Sequence, residues 1–146
     1  MAKEKIKILH VEDNPTDALI IKKRLQKDNA FDYEITHVLS GEDALLSMEK
    51  NAYNIVLLDY NLPKKGGLEI LEEINKKNIE VPVVMVTGQG DEIVAAQLIK
   101  EGALDYLPKR ENYEDAVPFM IRKTIAEFRA KSERERLQKE IALRKE

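Results

Sequence analysis

The sequence predicts a doubly wound α/β domain, with five parallel strands sandwiched between helices on both faces. Five short apolar segments alternate with helical ones across short polar connections, the pattern of repeated βα units. Two of the segments, residues 55–58 and 83–86, are unbroken apolar runs, as expected of strands covered on both faces. Both runs stop at a polar side chain, Asp59 and Thr87. A parallel strand that ends in this way opens into the crevice where open α/β sheets hold their ligands.

Residues 6–11 form the first strand, which ends in Glu12 and Asp13. Asn14 then caps a helix with Pro15 at its first position, and the helix runs to about residue 27 with Ala18, Ile21 and Leu25 on one face. Residues 33–38 are the second strand. Ser40 opens the second helix, with Asp43 three positions on as an Asp form of the capping box, and Ala44, Leu45 and Met48 line its inner face. The third strand ends at Asp59, and Pro63 and Gly66-Gly67 prevent its continuation. A helix over about 68–77 turns Leu71 and Ile74 inward. Residues 83–87 are the fourth strand, and the helix over 91–101 is closed by Gly102. The fifth strand, 104–108, ends at Lys109. The last helix runs from about residue 115 past Phe128, with Val117, Ile121, Ile125 and Phe128 as its inward stripe.

A chain of 146 residues is long enough for one domain with a full core, assigned to 1–128, plus a helical extension over 129–146. The absence of Cys excludes a disulfide scaffold and any Cys-based metal or catalytic site. The charged start lacks a signal-peptide apolar region, and no apolar run approaches a membrane span, so a cytoplasmic protein with no membrane partner is expected. From residue 122 onward nine Lys or Arg face five Asp or Glu, a local +4 against −7 for the rest. This asymmetry assigns the tail a job of its own. As a helix it projects about 27 Å beyond Phe128. Ala130, Leu137 and Ile141 form a thin seam with Arg134 in one seam position, so a weak homodimer through the last helix is expected. The tail alternates charge sign and has no interleaved aromatics, so direct nucleic-acid contact is not expected.

Strand ends carry the chemistry. Glu12 and Asp13, Asp59, Thr87 and Lys109 all converge at one edge if the first strand is central. Three carboxylates at about 4–5 Å repel by roughly 3–4 kcal/mol per pair, which a divalent cation relieves. An all-oxygen donor set selects a hard ion, Mg2+ above all, with Mn2+ as an alternative. A carboxylate, a cation, a hydroxyl and an ammonium together suit phosphoryl transfer. Gly88-Gln89-Gly90 lacks the third Gly of a dinucleotide fingerprint and follows the wrong strand. His10 and His37 sit within strands and are read as structural.

Over about residues 5–128 the chain resembles the receiver domains of two-component response regulators. The resemblance rests on Val-Glu-Asp-Asn at 11–14, Leu-Leu-Asp-Tyr-Asn-Leu-Pro at 57–63, Val-Thr-Gly at 86–88 and Asp-Tyr-Leu-Pro-Lys at 105–109. It implies a flavodoxin-like (βα)5 fold with strand order 2-1-3-4-5. It implies Asp59 as phosphoacceptor for a histidine kinase or phosphotransfer protein, and a chain that promotes its own phosphorylation and dephosphorylation rather than turning over substrate. Asp13 would bind the metal directly, Glu12 directly or through water, Asp59 through its carboxylate and Asn61 through its backbone carbonyl. Thr87 and Lys109 would contact the phosphoryl oxygens, Thr87 and Tyr106 would form the switch, and Asn61 and Gln89 would flank the site and influence hydrolysis. The chain departs from the usual pattern in two places: Arg110 rather than Pro follows Lys109, and Glu12 stands where Asp is commoner.

A module of a larger regulator or hybrid sensor kinase is expected, with a free-standing single-domain response regulator as the alternative. A phosphatase working through an aspartyl-phosphate is disfavoured, because such enzymes carry Asp-x-Asp after the first strand and this strand ends Glu12-Asp13-Asn14. A degenerate scaffold is disfavoured by the complete set of acids, Thr87 and Lys109.

Overall fold

Alternating apolar residues on each strand divide the interior into two cores, one on each face of a single sheet. The computed structural model describes residues 2–88 and 92–144. Its elements are β1 (Lys5–Val11), α1 (Pro15–Gln26), β2 (Asp32–Val38), α2 (Gly41–Lys50), β3 (Ile55–Asp59), α3 (Gly67–Lys76), β4 (Val83–Thr87), α4 (Glu92–Lys100), β5 (Asp105–Pro108), a 3-10 turn (Tyr113–Ala116) and α5 (Val117–Arg144). The strands are parallel and ordered β2-β1-β3-β4-β5, a flavodoxin-like arrangement with β1 beside β3.

On β1, Ile6 and Ile8 pack against α1 and α5, while Leu9 and Val11 pack against α2 and α3. On β3 the same alternation sends Ile55 and Leu57 one way and Val56 and Leu58 the other. Every residue of β3 and β4 is buried, because both strands are interior to the sheet and covered on both faces.

Helix starts follow local chemistry. The Asn14 side chain accepts from the amides of Thr16 and Asp17 at 2.9 and 3.2 Å, and Ser40 accepts from the Asp43 amide at 3.1 Å. Gly102, at φ 112°, closes α4 in the conformation that glycine tolerates best.

The last helix departs from expectation at its start. Residues 113–116 wind as a 3-10 turn after Asn112 enters the left-handed region, and the α-helix proper begins at Val117. From there it continues unbroken to Arg144. Ion pairs tie its first half to the domain: Arg122 to Asp28 at 3.1 Å, Lys123 to Asp105 at 3.0 Å, and Arg129 to Glu4. Val117, Ile121 and Ile125 are buried, as is Thr124. Phe128, expected to complete that stripe, is only half-buried, because the helix is by then leaving the sheet.

Candidate functional site

The carboxyl ends of β1, β3, β4 and β5 lie along one edge, where Asp59 and Thr87 end their strands and Glu12 and Lys109 follow theirs. Asp59 is the last residue of β3 and is buried. The chain turns sharply after it: the Asn61 amide donates to Asp59 Oδ1 at 3.0 Å, and the Gly67 amide donates to the Tyr60 carbonyl at 3.0 Å. Gly67 has to be glycine at this turn. A Cβ there would lie 2.6 Å from the Asp59 carbonyl oxygen and 2.8 Å from the Tyr60 Cα.

Glu12 follows β1 and is almost fully buried, while the adjacent Asp13 is exposed. The carboxylate oxygens of Glu12, Asp13 and Asp59 lie within 4.8 Å of one another. Lys109 follows β5, and its amide donates to the Thr87 carbonyl at 2.7 Å, which carries the strand pairing one residue beyond β5. Its ammonium lies 2.7 Å from Glu12 Oε1, 3.3 Å from Asp59 Oδ2 and 3.6 Å from Asp17 Oδ2. Arg110 in place of Pro therefore does not keep Lys109 from Asp59, and all described peptide bonds are trans.

The electrostatics follow from burial and crowding. Burial pushes the Glu12 carboxyl up to about 7, the neighbouring Asp59 adds to this, and Lys109 pulls against it. Burial opposes the Lys109 charge, but the Glu12 hydrogen bond and the Asp59 and Glu12 charges outweigh it and raise the ammonium pKa. His10 lies beneath the site on β1, nearly fully buried, and burial drives it down to about 4, helped by His37 and Lys109. It is a neutral core imidazole at neutral pH, and its Nδ1 has no protein partner. His37 Nε2 donates to the Glu12 carbonyl at 2.7 Å and so steadies the end of β1. Neither histidine belongs to the acid cluster of Glu12, Asp13 and Asp59.

Thr87 is buried at the end of β4 and shares the strand face of Val83 and Met85. Tyr106, half-buried on β5, packs into the same core and pairs in register with Met85, so Thr87 lies one pleat beyond it on the same face. Asn61 is exposed at the rim, and its side-chain nitrogen would lie 3.3 Å from a Cβ on Gly88, so the loops after β3 and β4 close on each other. Gln89 lies outside the described residues.

Two neighbours of the site escaped the sequence reading. Asp17, in the first turn of α1, reaches Lys109. Tyr113 sits half-buried near Lys109, and burial pushes its phenol up to about 12. The signal for Asp17 was its place one turn after the acidic strand end; nothing comparable marks Tyr113.

An all-oxygen cluster of this size fits a hard divalent cation, since three close carboxylates lower their mutual repulsion by sharing one. The cluster, a hydroxyl and an ammonium thus sit together at the carboxyl edge of a flavodoxin-like sheet.

The chain belongs to the response regulator receiver domain family, whose model matches residues 8–118. It is 30% identical over 129 residues to the transcriptional regulatory protein ZraR of Salmonella typhimurium, covering 88% of this chain and 28% of that one. The chain thus spans less than a third of the length of this curated relative. Among solved structures it resembles a response regulator receiver domain protein from Clostridium thermocellum, with TM-score 0.74 and 31% identity over 86% of this chain and 98% of that one. It also resembles the Mn(2+)-bound form of response regulator Rcp1, with TM-score 0.67 and 29% identity over 80% and 88% of the two chains. Among the described residues no helix is long and apolar enough to cross a membrane.

Proposed function

We propose that this domain accepts a phosphoryl group on Asp59 from a phosphohistidine of a histidine kinase or phosphotransfer protein, with Mg2+ held by Glu12, Asp13, Asp59 and the Asn61 carbonyl. The observation that carries this reading is the Lys109 ammonium within 3.3 Å of Asp59 beside the three-carboxylate cluster. In the transfer, Asp59 Oδ forms a bond to phosphorus as the donor N–P bond breaks, and the electron pair stays on the imidazole. Bound Mg2+ would supply charge neutralisation for the acids and the incoming phosphoryl oxygens. Lys109 would balance the negative charge on those oxygens, and the Thr87 hydroxyl would donate to one of them. Water later attacks phosphorus and returns the carboxylate, so the domain is a self-modifying signalling element and not a turnover enzyme.

The same reading makes Thr87 and Tyr106 the switch, places the domain within a larger regulator or hybrid sensor kinase, and assigns α5 to a homodimer. It needs no nucleic-acid contact from this segment, and a cytoplasmic setting suits it. Intact mass after incubation with acetyl phosphate and Mg2+ tests it. One phosphoryl group should be added, and Asp59→Asn should abolish the addition; full labelling of that variant would refute the assignment.

A further inference from the structure

We infer that Asp17 is a positioning residue for Lys109, restraining that ammonium and thereby slowing both the gain and the loss of the phosphoryl group; this rests on Asp59 being the phosphoacceptor. Three carboxylates surround the ammonium, from Glu12 at 2.7 Å, Asp59 at 3.3 Å and Asp17 at 3.6 Å. Two of these belong to the cluster suited to a cation, which also includes Asp13 but not Asp17. When Glu12 and Asp59 are committed to a cation and a phosphoryl group, Asp17 is the carboxylate of the three still free to hold Lys109.

Its position is fixed from below. The Asp17 amide donates to Asn14 Oδ1 at 3.2 Å, and Pro15 stiffens the same turn, so the side chain projects from a rigid helix start. Its carboxylate is about one-third exposed. An ion pair of that exposure shifts an equilibrium by about two- to fivefold, enough to tune a rate without controlling it. Lys109 stabilises transferring charge only when it reaches the phosphoryl oxygens, and the pull from Asp17 competes with that reach.

With acetyl phosphate the balance is simple. Asp59 Oδ bonds to phosphorus, the P–O bond to the acetyl group breaks, and acetate leaves with the electron pair. In the reverse phase water attacks phosphorus, the bond to Asp59 breaks, and the protons pass to phosphate and solvent. The two rates are measured by intact mass, during donor addition and after donor removal, for wild type, Asp17→Asn, Asp17→Glu, Lys109→Ala and the Asp17→Asn/Lys109→Ala pair. Amide spectra confirm that each variant is folded, with Asp17→Ser as the substitute if Asp17→Asn is not.

Asp17→Asn should raise both rates about two- to fivefold, and Asp17→Glu should return them toward wild type. The increase should vanish in the Lys109→Ala background, which a purely structural role for Asp17 would not produce. Unchanged or lower rates in Asp17→Asn, or the same fold-change with and without Lys109, would overturn the inference. Absence of labelling in wild type, or labelling that survives Asp59→Asn, would instead remove the phosphoacceptor reading beneath it.

Discussion

The ammonium of Lys109 is bonded more closely to Glu12, at 2.7 Å, than to Asp59, at 3.3 Å. The pair neutralises a buried carboxylate that would otherwise stand unpaired beside another acid. A cation entering the cluster has to compete with Lys109 for Glu12, whereas Asp13 is exposed and open to it. The two acids at the end of β1 therefore differ in what their removal does.

Asp13→Ala should raise the Mg2+ concentration needed for half-maximal labelling of Asp59 by at least about tenfold, the lower end of what even outer-shell changes cost metal sites. Glu12→Ala should raise it less, because Glu12 is already held by Lys109 and so gives an entering cation less than the open Asp13 does. Labelling followed across a Mg2+ series distinguishes them, and equal Mg2+ dependence in wild type and Asp13→Ala would refute the metal role of Asp13.

Thr87 and Tyr106 share one face of neighbouring strands, one pleat apart. A phosphoryl group on Asp59 that draws the Thr87 hydroxyl toward it would vacate space toward which the Tyr106 ring can turn. Coupling of about 1–3 kcal/mol is typical of such population shifts. Thr87→Ala should still be phosphorylated, yet amide shifts over α4, β5 and the first half of α5 should respond weakly. An undiminished response there would show that Thr87 does not transmit the change.

Two buried groups at the site give opposing pH dependence in metal-free protein. His10 is held near 4 against an ordinary 6.5, so as pH falls through that interval the unfolded chain takes up a proton that the folded chain refuses, and stability is lost. Between pH 7.5 and 5 the loss is about 2 kcal/mol. Glu12 is raised toward 7, so the folded chain is the one that takes up a proton as pH falls, and stability is gained. Glu12→Gln should therefore lose stability toward acid more steeply than wild type. Urea unfolding at several pH values checks this, and a flat profile in Glu12→Gln would be incompatible with it.

Much of this was legible because strand ends are local features. The runs at 55–58 and 83–86 stop where a polar residue begins, so Asp59 and Thr87 are assigned to the sheet edge by the same residues that define β3 and β4. Helix limits were less legible. The turn at 113–116 follows Asn112 at φ 60°, a left-handed conformation that Asn tolerates but does not require. Asp17 and Tyr113 went unread because a helix turn and a loop can present several side chains to a crevice, and only tertiary packing selects which. The preference of Lys109 for Glu12 likewise exists only once four strand ends are brought together.

The outer face of α5 carries an apolar line that spans both the domain and the extension. Phe119, Ala126, Ala130, Leu137 and Ile141 are all exposed, at 61% for Phe119, 43% for Leu137 and 53% for Ile141. Their spacing of seven, four, seven and four residues keeps them within an arc of about 60° over roughly 33 Å of helix. Val117, Ile121 and Ile125 are buried in the domain on the opposite side of α5, which leaves this line facing outward. Burying such a line against a second copy would give a two-helix seam, while Arg134 near its edge keeps the association weak. Sedimentation should show a concentration-dependent dimer that Leu137→Glu with Ile141→Glu disrupts. Phe119→Ser should weaken it too if the seam reaches the receiver. Since the chain has no Cys, Arg144→Cys should form an intermolecular disulfide readily only in a parallel pair, the arrangement that would let the two receivers act together on whatever they control. A strict monomer at high micromolar concentration, with and without phosphorylation, would leave α5 beyond Arg129 as a solvated extension.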